Sequence, residues 1–378
     1  MSLPASGPVL VVPALEKGSG GGHLTRCASL VVELRSLGRE AFLFLKDEAG
    51  FRRLERLAFA DSPDAGWLVG GESLSPSGWA FVVLDRRRTP AGEFRRWAEL
   101  APVVGIDEGG RCRKYFDFLI DVIPGTGGQR ANIVDASLLP LPKNKPAKKG
   151  DNVGFPLRRI MVSFGREDNA GLGEATVREL AKKAGGKIEI TFIAASLGKP
   201  SFKNDTILDN GNIIVKENIP DLAERLGEYD LLITHFGITA FQALYAGISV
   251  LLISPTRSHE RLARKAGFVS PGIGRRKAKK LAGMVLAEED CGRAFLEKLR
   301  ERCDELAERH GLNRPERIGL AELLAGFAPV APRNCPACGA RFGGKMPVVE
   351  RFGDRSHVRC RHCGTAARFD FTAAKAAG

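Results

Sequence analysis

Residues 8–28 read Pro8-Val-Leu-Val-Val-Pro13-Ala-Leu-Glu-Lys17-Gly-Ser-Gly-Gly-Gly22-His23-Leu-Thr-Arg26-Cys27-Ala28. An unbroken apolar run is followed by a glycine-rich loop. Beyond it Leu24, Cys27, Ala28, Val31 and Leu34 recur at three- and four-residue steps until Gly38. The first pattern belongs to a strand buried on both faces, the last to an amphipathic helix stopped by glycine. Strand, glycine loop and helix in that order open a parallel sheet wound with helices. The apolar run has no basic flank before it and leads into glycines rather than a small-residue cleavage site. It therefore reads as a first strand and not as a signal peptide.

The alternation continues outward, with strands expected at 9–13, 41–45, 80–84, 103–106 and 118–123. Near 138–159 the composition turns to proline and lysine without periodicity, as in Leu139-Pro-Leu-Pro-Lys-Asn-Lys-Pro-Ala-Lys-Lys-Gly150, the mark of an interdomain linker. The pattern then restarts, with strands at 160–164, 188–194, 212–215, 231–234 and 249–253 and helices near 173–184, 238–246, 259–266 and 290–310. The 378 residues thus divide into an N-terminal Rossmann-like domain over 1–140, a linker over 141–158, a second Rossmann-like domain over 159–327 and a small module over 333–371. That count agrees with about 150 residues per domain. A chain that is 44% hydrophobic and 27% charged is neither disordered nor fibrous. No apolar run approaches the roughly 18 residues of a membrane-spanning helix.

In the small module, Cys335-Pro-Ala-Cys338-Gly and Cys360-Arg-His-Cys363-Gly are two knuckles, each offering two thiolates one tight turn apart. The intervening residues suffice for a hairpin that folds the knuckles onto one tetrahedral ion, so structural zinc is expected on Cys335, Cys338, Cys360 and Cys363 in a zinc ribbon. Four thiolates leave no open coordination position, and no catalytic metal is expected. A unit this small cannot hold itself by core burial, and the metal would supply its folding energy. Arg341, Lys345, Arg351, Arg355, Arg359, Arg361 and Arg368 make the module basic. They read as a solvated surface, with docking of an acidic partner or nucleic acid as the alternative.

Fifty-seven basic against 44 acidic residues leave a net charge of +13, which favours anionic partners: nucleic acid, phosphorylated small molecules or an acidic membrane surface. The clusters at 86–88, 143–149 and 275–280 read as solvated faces, or as contacts to an anionic lipid carrier or membrane surface. One paired cysteine array beside scattered Cys27, Cys112, Cys291 and Cys303 is reducing-compartment usage. The expected localisation is cytoplasmic, with peripheral contact at the inner membrane face as an extension.

The glycine loop can bring the backbone amides of Gly20, Gly21 and Gly22 close to an anionic ligand, and a helix N-terminus adds positive potential. It lacks the Gly-Lys-Ser/Thr of a phosphate-loop ATPase and the Gly-x-Gly-x-x-Gly of a dinucleotide fold. His23, at the end of this loop, is either a helix-start packing residue or a catalytic group facing the opening above the sheet.

Gly-Gly-Gly-His23-Leu-Thr-Arg26-Cys27-Ala28 resembles the opening loop of the UDP-sugar hydrolases of the pseudaminic acid pathway and of the related spore-coat predicted glycosyltransferases. Val83-Leu-Asp85, Ile106-Asp107-Glu108 with Arg111, and Asp117-Phe-Leu-Ile-Asp121 resemble that family's succession of strand-end acids. Met161-Val-Ser-Phe-Gly165-Arg166-Glu-Asp168-Asn169 resembles the turn that opens its second domain. Asp230-Leu-Leu-Ile-Thr-His235-Phe-Gly237-Ile-Thr239-Ala-Phe-Gln242-Ala-Leu-Tyr-Ala-Gly247, with Leu251-Leu-Ile-Ser-Pro255, resembles the nucleotide-sugar motif shared with the lipid II N-acetylglucosaminyltransferases. The resemblance covers about residues 8–325 and leaves out the cysteine module.

The resemblance implies a GT-B arrangement, two Rossmann-like domains facing a cleft, with the nucleotide held mainly by the second and the acceptor or water approached from the first. On that basis Gly237, Ile238 and Thr239 hold the diphosphate at a helix start and Arg166 adds a charge-assisted contact. Gln242 reaches the ribose, the 217–219 loop holds the base, and His235 and His259 belong to the same nucleotide-sugar site. His23 is the candidate base, an imidazole suited to proton removal near neutral pH. Asp85, Asp107 and Glu108 orient it or hold the acceptor, with local loop hydrogen bonds as the competing reading. The chain departs from the family at Gln242, where glutamate is usual, at His235 and Arg166, where small residues are, and at His259-Glu260, where an Asn-Gln pair stands. The expected function is inverting, metal-independent transfer of sugar from a UDP-sugar donor to a glycan, lipid-linked or protein acceptor in surface-glycan or glycoconjugate biosynthesis. Hydrolysis of the UDP-sugar is one alternative. A nucleic-acid-binding or ligand-sensing protein that uses the ribbon is another, although the ribbon lacks an aromatic stacking series.

Overall fold

Aliphatic runs with no polar face become the strands of two parallel sheets. In the computed structural model Val9–Pro13 (β1) is buried at every position. Gly22–Ser36 (α1) follows it with Leu24, Cys27, Leu30, Val31 and Leu34 turned inward, and leads to Ala41–Phe44 (β2). The chain continues through Glu48–Arg56 (α2), Leu68–Val69 (β3), Phe81–Asp85 (β4), Ala91–Leu100 (α3), Val103–Ile106 (β5), Phe118–Asp121 (β6) and Ile133–Val134 (β7). These strands form one parallel sheet in the order β3-β2-β1-β4-β5-β6-β7. Leu10, Val82, Leu84, Phe94, Trp97 and Phe116 pack into one core cluster on it. Gly105 stands in β5 because the Phe116 ring lies across that strand; a Cβ there would sit 2.6 Å from the ring.

A second run comprises Arg159–Ser163 (β8), Leu172–Ala184 (α4), Glu189–Ile193 (β9), Ile213–Lys216 (β10), Leu222–Arg225 (α5), Leu231–Thr234 (β11), Ile238–Ala246 (α6), Ser249–Leu252 (β12), Arg257–Ala266 (α7), Lys277–Val285 (α8) and Glu289–Arg309 (α9). Its sheet is also parallel, in the order β10-β9-β8-β11-β12. Leu320–Ala325 (α10) follows, and then an antiparallel sheet of Val348–Phe352 (β13), Arg355–Arg359 (β14) and Ala366–Asp370 (β15). The structure describes residues 7–16, 21–56, 63–71, 74–75, 77–126, 130–142, 145, 157–165, 167–184, 186–195, 212–217, 219, 221–315, 317–328, 334–340 and 348–370. Most of the expected linker lies outside them, as do Gly20 and Arg166.

The chain divides into two compact units, Met1–Leu138 with Arg317–Gly378, and Leu139–Glu316. Residues 317–327, expected with the second domain, cluster with the first. There α10 packs against α1, and the Phe327 ring meets that of Phe118 at 4.9 Å between centroids. The cysteine module joins the same unit rather than standing apart. Each parallel sheet reverses its winding beside its own first strand, between β1 and β4 in one and between β8 and β11 in the other. Loops leaving the carboxyl ends of strands diverge at such a point and leave a crevice where ligands bind.

Candidate functional site

The carboxyl ends of β1 and β4 bring together His23, Arg26, Asp85 and Asp107. His23 and Arg26 lie three residues apart on α1, hence on one helix face. Asp85 closes β4 and Asp107 follows β5. Asp85 is fully buried; its Oδ1 lies 2.8 Å from His23 Nδ1. Arg26 donates to the same carboxylate through Nε at 2.7 Å and Nη2 at 2.5 Å. Its Nη1 meets Asp107 Oδ2 at 2.9 Å, an ion contact whose angle falls short of a hydrogen bond. Asp107 Oδ1 accepts from Ile123 N at 2.8 Å. Asp107 has φ 54, a left-handed conformation that aspartate tolerates better than most residues but that still stores strain.

Burial alone would push the Asp85 carboxyl up, but Arg26 and then His23 outweigh it and hold it well below the usual carboxylate range. Asp107 goes the other way, raised by burial against a weaker pull from Arg26. Burial opposes the Arg26 charge, and the two aspartates more than restore it. An ionised Asp85 is an acceptor only, so the proton on Nδ1 belongs to His23 and its Nε2 is the basic nitrogen. His23 is 12% exposed at the side chain. The arrangement can hold an imidazole in one tautomer and stabilise it once protonated, as a general base requires. The sequence put Arg26 within a motif and assigned it nothing; its three-residue spacing from His23 was the available signal.

Glu108 turns away. Thr89 Oγ1 donates to Oε2, Gly110 N donates to Oε1 at 2.5 Å, and Arg113 donates to its carbonyl. Glu108 therefore shapes its loop, the competing reading for the strand-end acids. Arg86, expected in a solvated cluster, is buried instead: it pairs with Glu93 at 2.6 Å and donates to Pro13 O at 3.1 Å. A carboxylate on α3 and a carbonyl at the carboxyl end of the central strand β1 make that burial tolerable.

In the second unit the carboxyl ends of β8 and β11 place Gly165, His235 and Gly237 together. Gly165 has φ +79, and a Cβ there would lie 3.4 Å from His235 Nε2. Ile238 and Thr239 begin α6, where first-turn amides are left without helix partners. The His235 ring lies 5.5 Å from that of His259, and His235 Nδ1 is 3.1 Å from Phe236 O. Thr256 caps α7, accepting from His259 N at 3.3 Å, with its Oγ1 2.8 Å from His259 Nδ1. Gln242 donates from Nε2 to Pro140 O at 2.7 Å, which engages its amide nitrogen and leaves its oxygen. Asp168 accepts from Leu172 N at 2.9 Å and Gly173 N at 2.7 Å, so it caps α4. Glu260 is held by Arg264 at 2.7 Å and Ser270 at 2.8 Å. Asn218 in the 217–219 loop lies outside the described residues.

The four sulfurs of Cys335, Cys338, Cys360 and Cys363 lie within 4.8 Å of one another. Cross-knuckle separations are 3.5 Å for Cys335 to Cys363 and 3.6 Å for Cys338 to Cys360. Bonds of about 2.3 Å to a tetrahedral centre would set sulfurs about 3.8 Å apart, so the cluster can hold a metal ion. The knuckles match each other: Gly339 N and Gly364 N donate to Cys335 O and Cys360 O, each at 2.9 Å. Both glycines have positive φ, 71 and 76.

No family model matches the chain. An uncharacterized protein of Methanocaldococcus jannaschii, MJ1062, is 24% identical over 265 residues, 62% of this chain and 53% of that protein. The chain thus spans about half the length of the curated relative it matches. Among solved structures, MurG of Acinetobacter baumannii aligns with 81% of this chain and 98% of its own, at TM-score 0.50 and 14% identity. The glycosyltransferase SnogD of Streptomyces nogalater aligns with 80% of this chain and 97% of its own, at TM-score 0.48 and 17% identity. Two parallel α/β units in this order have the GT-B glycosyltransferase fold. Among the described residues no helix is long and apolar enough to cross a membrane.

Proposed function

We propose that the protein is a nucleotide-sugar-dependent glycosyltransferase using a UDP-sugar donor, with His23 as the base that takes the proton of the acceptor hydroxyl. The observation that carries this is the His23–Asp85 pair at 2.8 Å at the winding reversal of the first sheet, with Arg26 locking the carboxylate. The ionised Asp85 accepts the Nδ1 proton, which leaves the Nε2 lone pair to take the acceptor proton, and its charge offsets the imidazolium that forms. In the second unit, the amides of Gly237, Ile238 and Thr239 receive the diphosphate as it gains charge, joined by Arg166, read from the sequence alone. Gln242 keeps its carboxamide oxygen for the ribose. The cysteine cluster carries a structural zinc ion, which supplies cross-linking and no step of the reaction. Sugar transfer serves glycan or glycoconjugate assembly in a reducing compartment.

The ribbon gives little support to nucleic-acid binding. Arg351 is buried, and Arg355 and Arg368 pair with Asp370. A thermal-shift series of nucleotides and nucleotide sugars, with wild type and His23→Ala, tests the proposal. UDP compounds should raise both melting temperatures alike, while His23→Ala loses about 10²- to 10⁴-fold in turnover. A wild type whose melting ignores every UDP compound refutes the reading. Free sugar released without acceptor, at a rate that added acceptors leave unchanged, assigns the same site to hydrolysis.

A further inference from the structure

The cysteine module docks on the first unit through groups that an independent surface module would leave in water. Arg351, on β13, is 7% exposed. Its Nη2 donates to Phe116 O at 2.7 Å and Arg113 O at 3.2 Å. These carbonyls lie at the C-terminal end of the short 3-10 turn Arg111–Tyr115; Arg113 O also accepts from Phe116 N at 3.3 Å, and a cation is favoured beside such a turn's carbonyl end. Around this plug Ser356 donates to Asp117 O at 2.6 Å. Asn132 donates to Arg355 O at 3.0 Å while its Oδ1 accepts from Leu119 N at 2.9 Å. Burial, then repulsion by Arg113, lowers the Arg351 pKa to about 10, so this charge is held by packing despite its cost.

The plugged turn leads into the site. Arg113 forms a two-point pair with Asp121 at 2.9 and 2.8 Å and donates to the carbonyl of Glu108. Glu108 follows Asp107, the left-handed residue that contacts Arg26. A continuous series of polar contacts and peptide links therefore runs from the ribbon to His23: Arg351, Arg113, Glu108, Asp107, Arg26, Asp85.

We propose that the ribbon is a positioning element of the catalytic unit: Arg351 fixes the Arg111–Tyr115 turn, and through Arg113 that turn holds Asp107 in its strained conformation against Arg26. Arg351 and Arg113 are positioning residues, acting through the Glu108–Asp107 backbone and Arg26. The inference rests on the reading of His23 as base and extends it to Arg351, in the cysteine module that the family resemblance leaves out. A strained residue persists only where its surroundings over-determine it, and here part of those surroundings comes from a metal-organised module.

The test is hydrogen–deuterium exchange of the full chain with kinetics on the same samples. Arg351→Met removes the plug, Asn132→Ala loosens docking without touching the buried charge, and Arg359→Ala on the exposed strand face is the control. Amides of residues 105–123 should exchange faster in the first two variants than in wild type or control, at a temperature where all are folded. Chelation of the metal should speed exchange there in wild type and add nothing in Arg351→Met. Turnover should fall about tenfold with KM unchanged, and Arg351→Lys should recover part of it. Unchanged exchange over 105–123 in Arg351→Met or after chelation overturns the proposal. So does a lowered melting temperature with kcat intact, which would make the ribbon a stabiliser only. If wild type turns over no UDP-sugar, the base assignment fails, while the exchange data still decide whether the ribbon holds the loop.

Discussion

Asp85 accepts from Arg26 twice and from His23 once, all while fully buried. Removing its charge should leave Arg26 in the interior with only the angular contact to Asp107. Asp85→Asn is therefore expected to lower stability by about 3–5 kcal/mol, read as a reduced urea midpoint at neutral pH. The pH dependence has a definite sign. Because the folded carboxyl is held below its unfolded value near about 4, its stabilisation is fully present above that pH and is lost as pH falls through the depressed folded value. Wild type should thus lose melting temperature on acidification below about pH 4 more steeply than Asp85→Asn, and equal slopes would remove Asp85 from the account. Asp107 and Glu108 are displaced upward, each chiefly by burial, the opposite direction from Asp85.

Elements carry the site by their ends and spacings. At Gly105 the strand passes under the Phe116 ring, so Gly105→Ala forces a methyl to within 2.6 Å of it and should cost about 1–3 kcal/mol. Gly165→Ala meets a different obstacle, the positive φ of the β8 turn, and should cost about 1–2 kcal/mol. Gly22 opens α1, and a methyl added there would find nothing within 4 Å. Gly22→Ala should leave stability within about 1 kcal/mol of wild type. Loss of turnover in that variant would then report a ligand approaching the α1 backbone, and melting curves beside kinetics separate the cases.

At the level of the whole chain, a sheet as small as β13–β15 is expected to depend on a metal cross-link at its four cysteines. Purified protein should carry about one zinc ion per chain by elemental analysis, and Cys360→Ser should lose it. A metal-free wild type with an unchanged melting curve would contradict a structural zinc site. The return of residues 317–328 and of the ribbon to the first sheet makes that unit discontinuous in sequence. Composition along the chain showed the proline-bearing break near 328–333 but carried no trace of which sheet the following residues would join.

Local pattern was sufficient for the ten main strands, the start of α6 and the paired cysteine knuckles, because each depends on residues close in sequence. The two-residue strands β3 and β7 were too short to show any period. Charged side chains were a different matter. Arg26, Arg86 and Arg351 look alike in the sequence, as do Asp107 and Glu108, yet one arginine braces the His23 pair, one ties α3 to the end of β1 and one plugs a turn. Each has a partner far away in sequence, 59, 73 and 235 residues off at Asp85, Pro13 and Phe116, although Arg86 also pairs with Glu93 only seven residues on. Whether a charge is buried, and what answers it there, is decided by chain segments that meet only on folding.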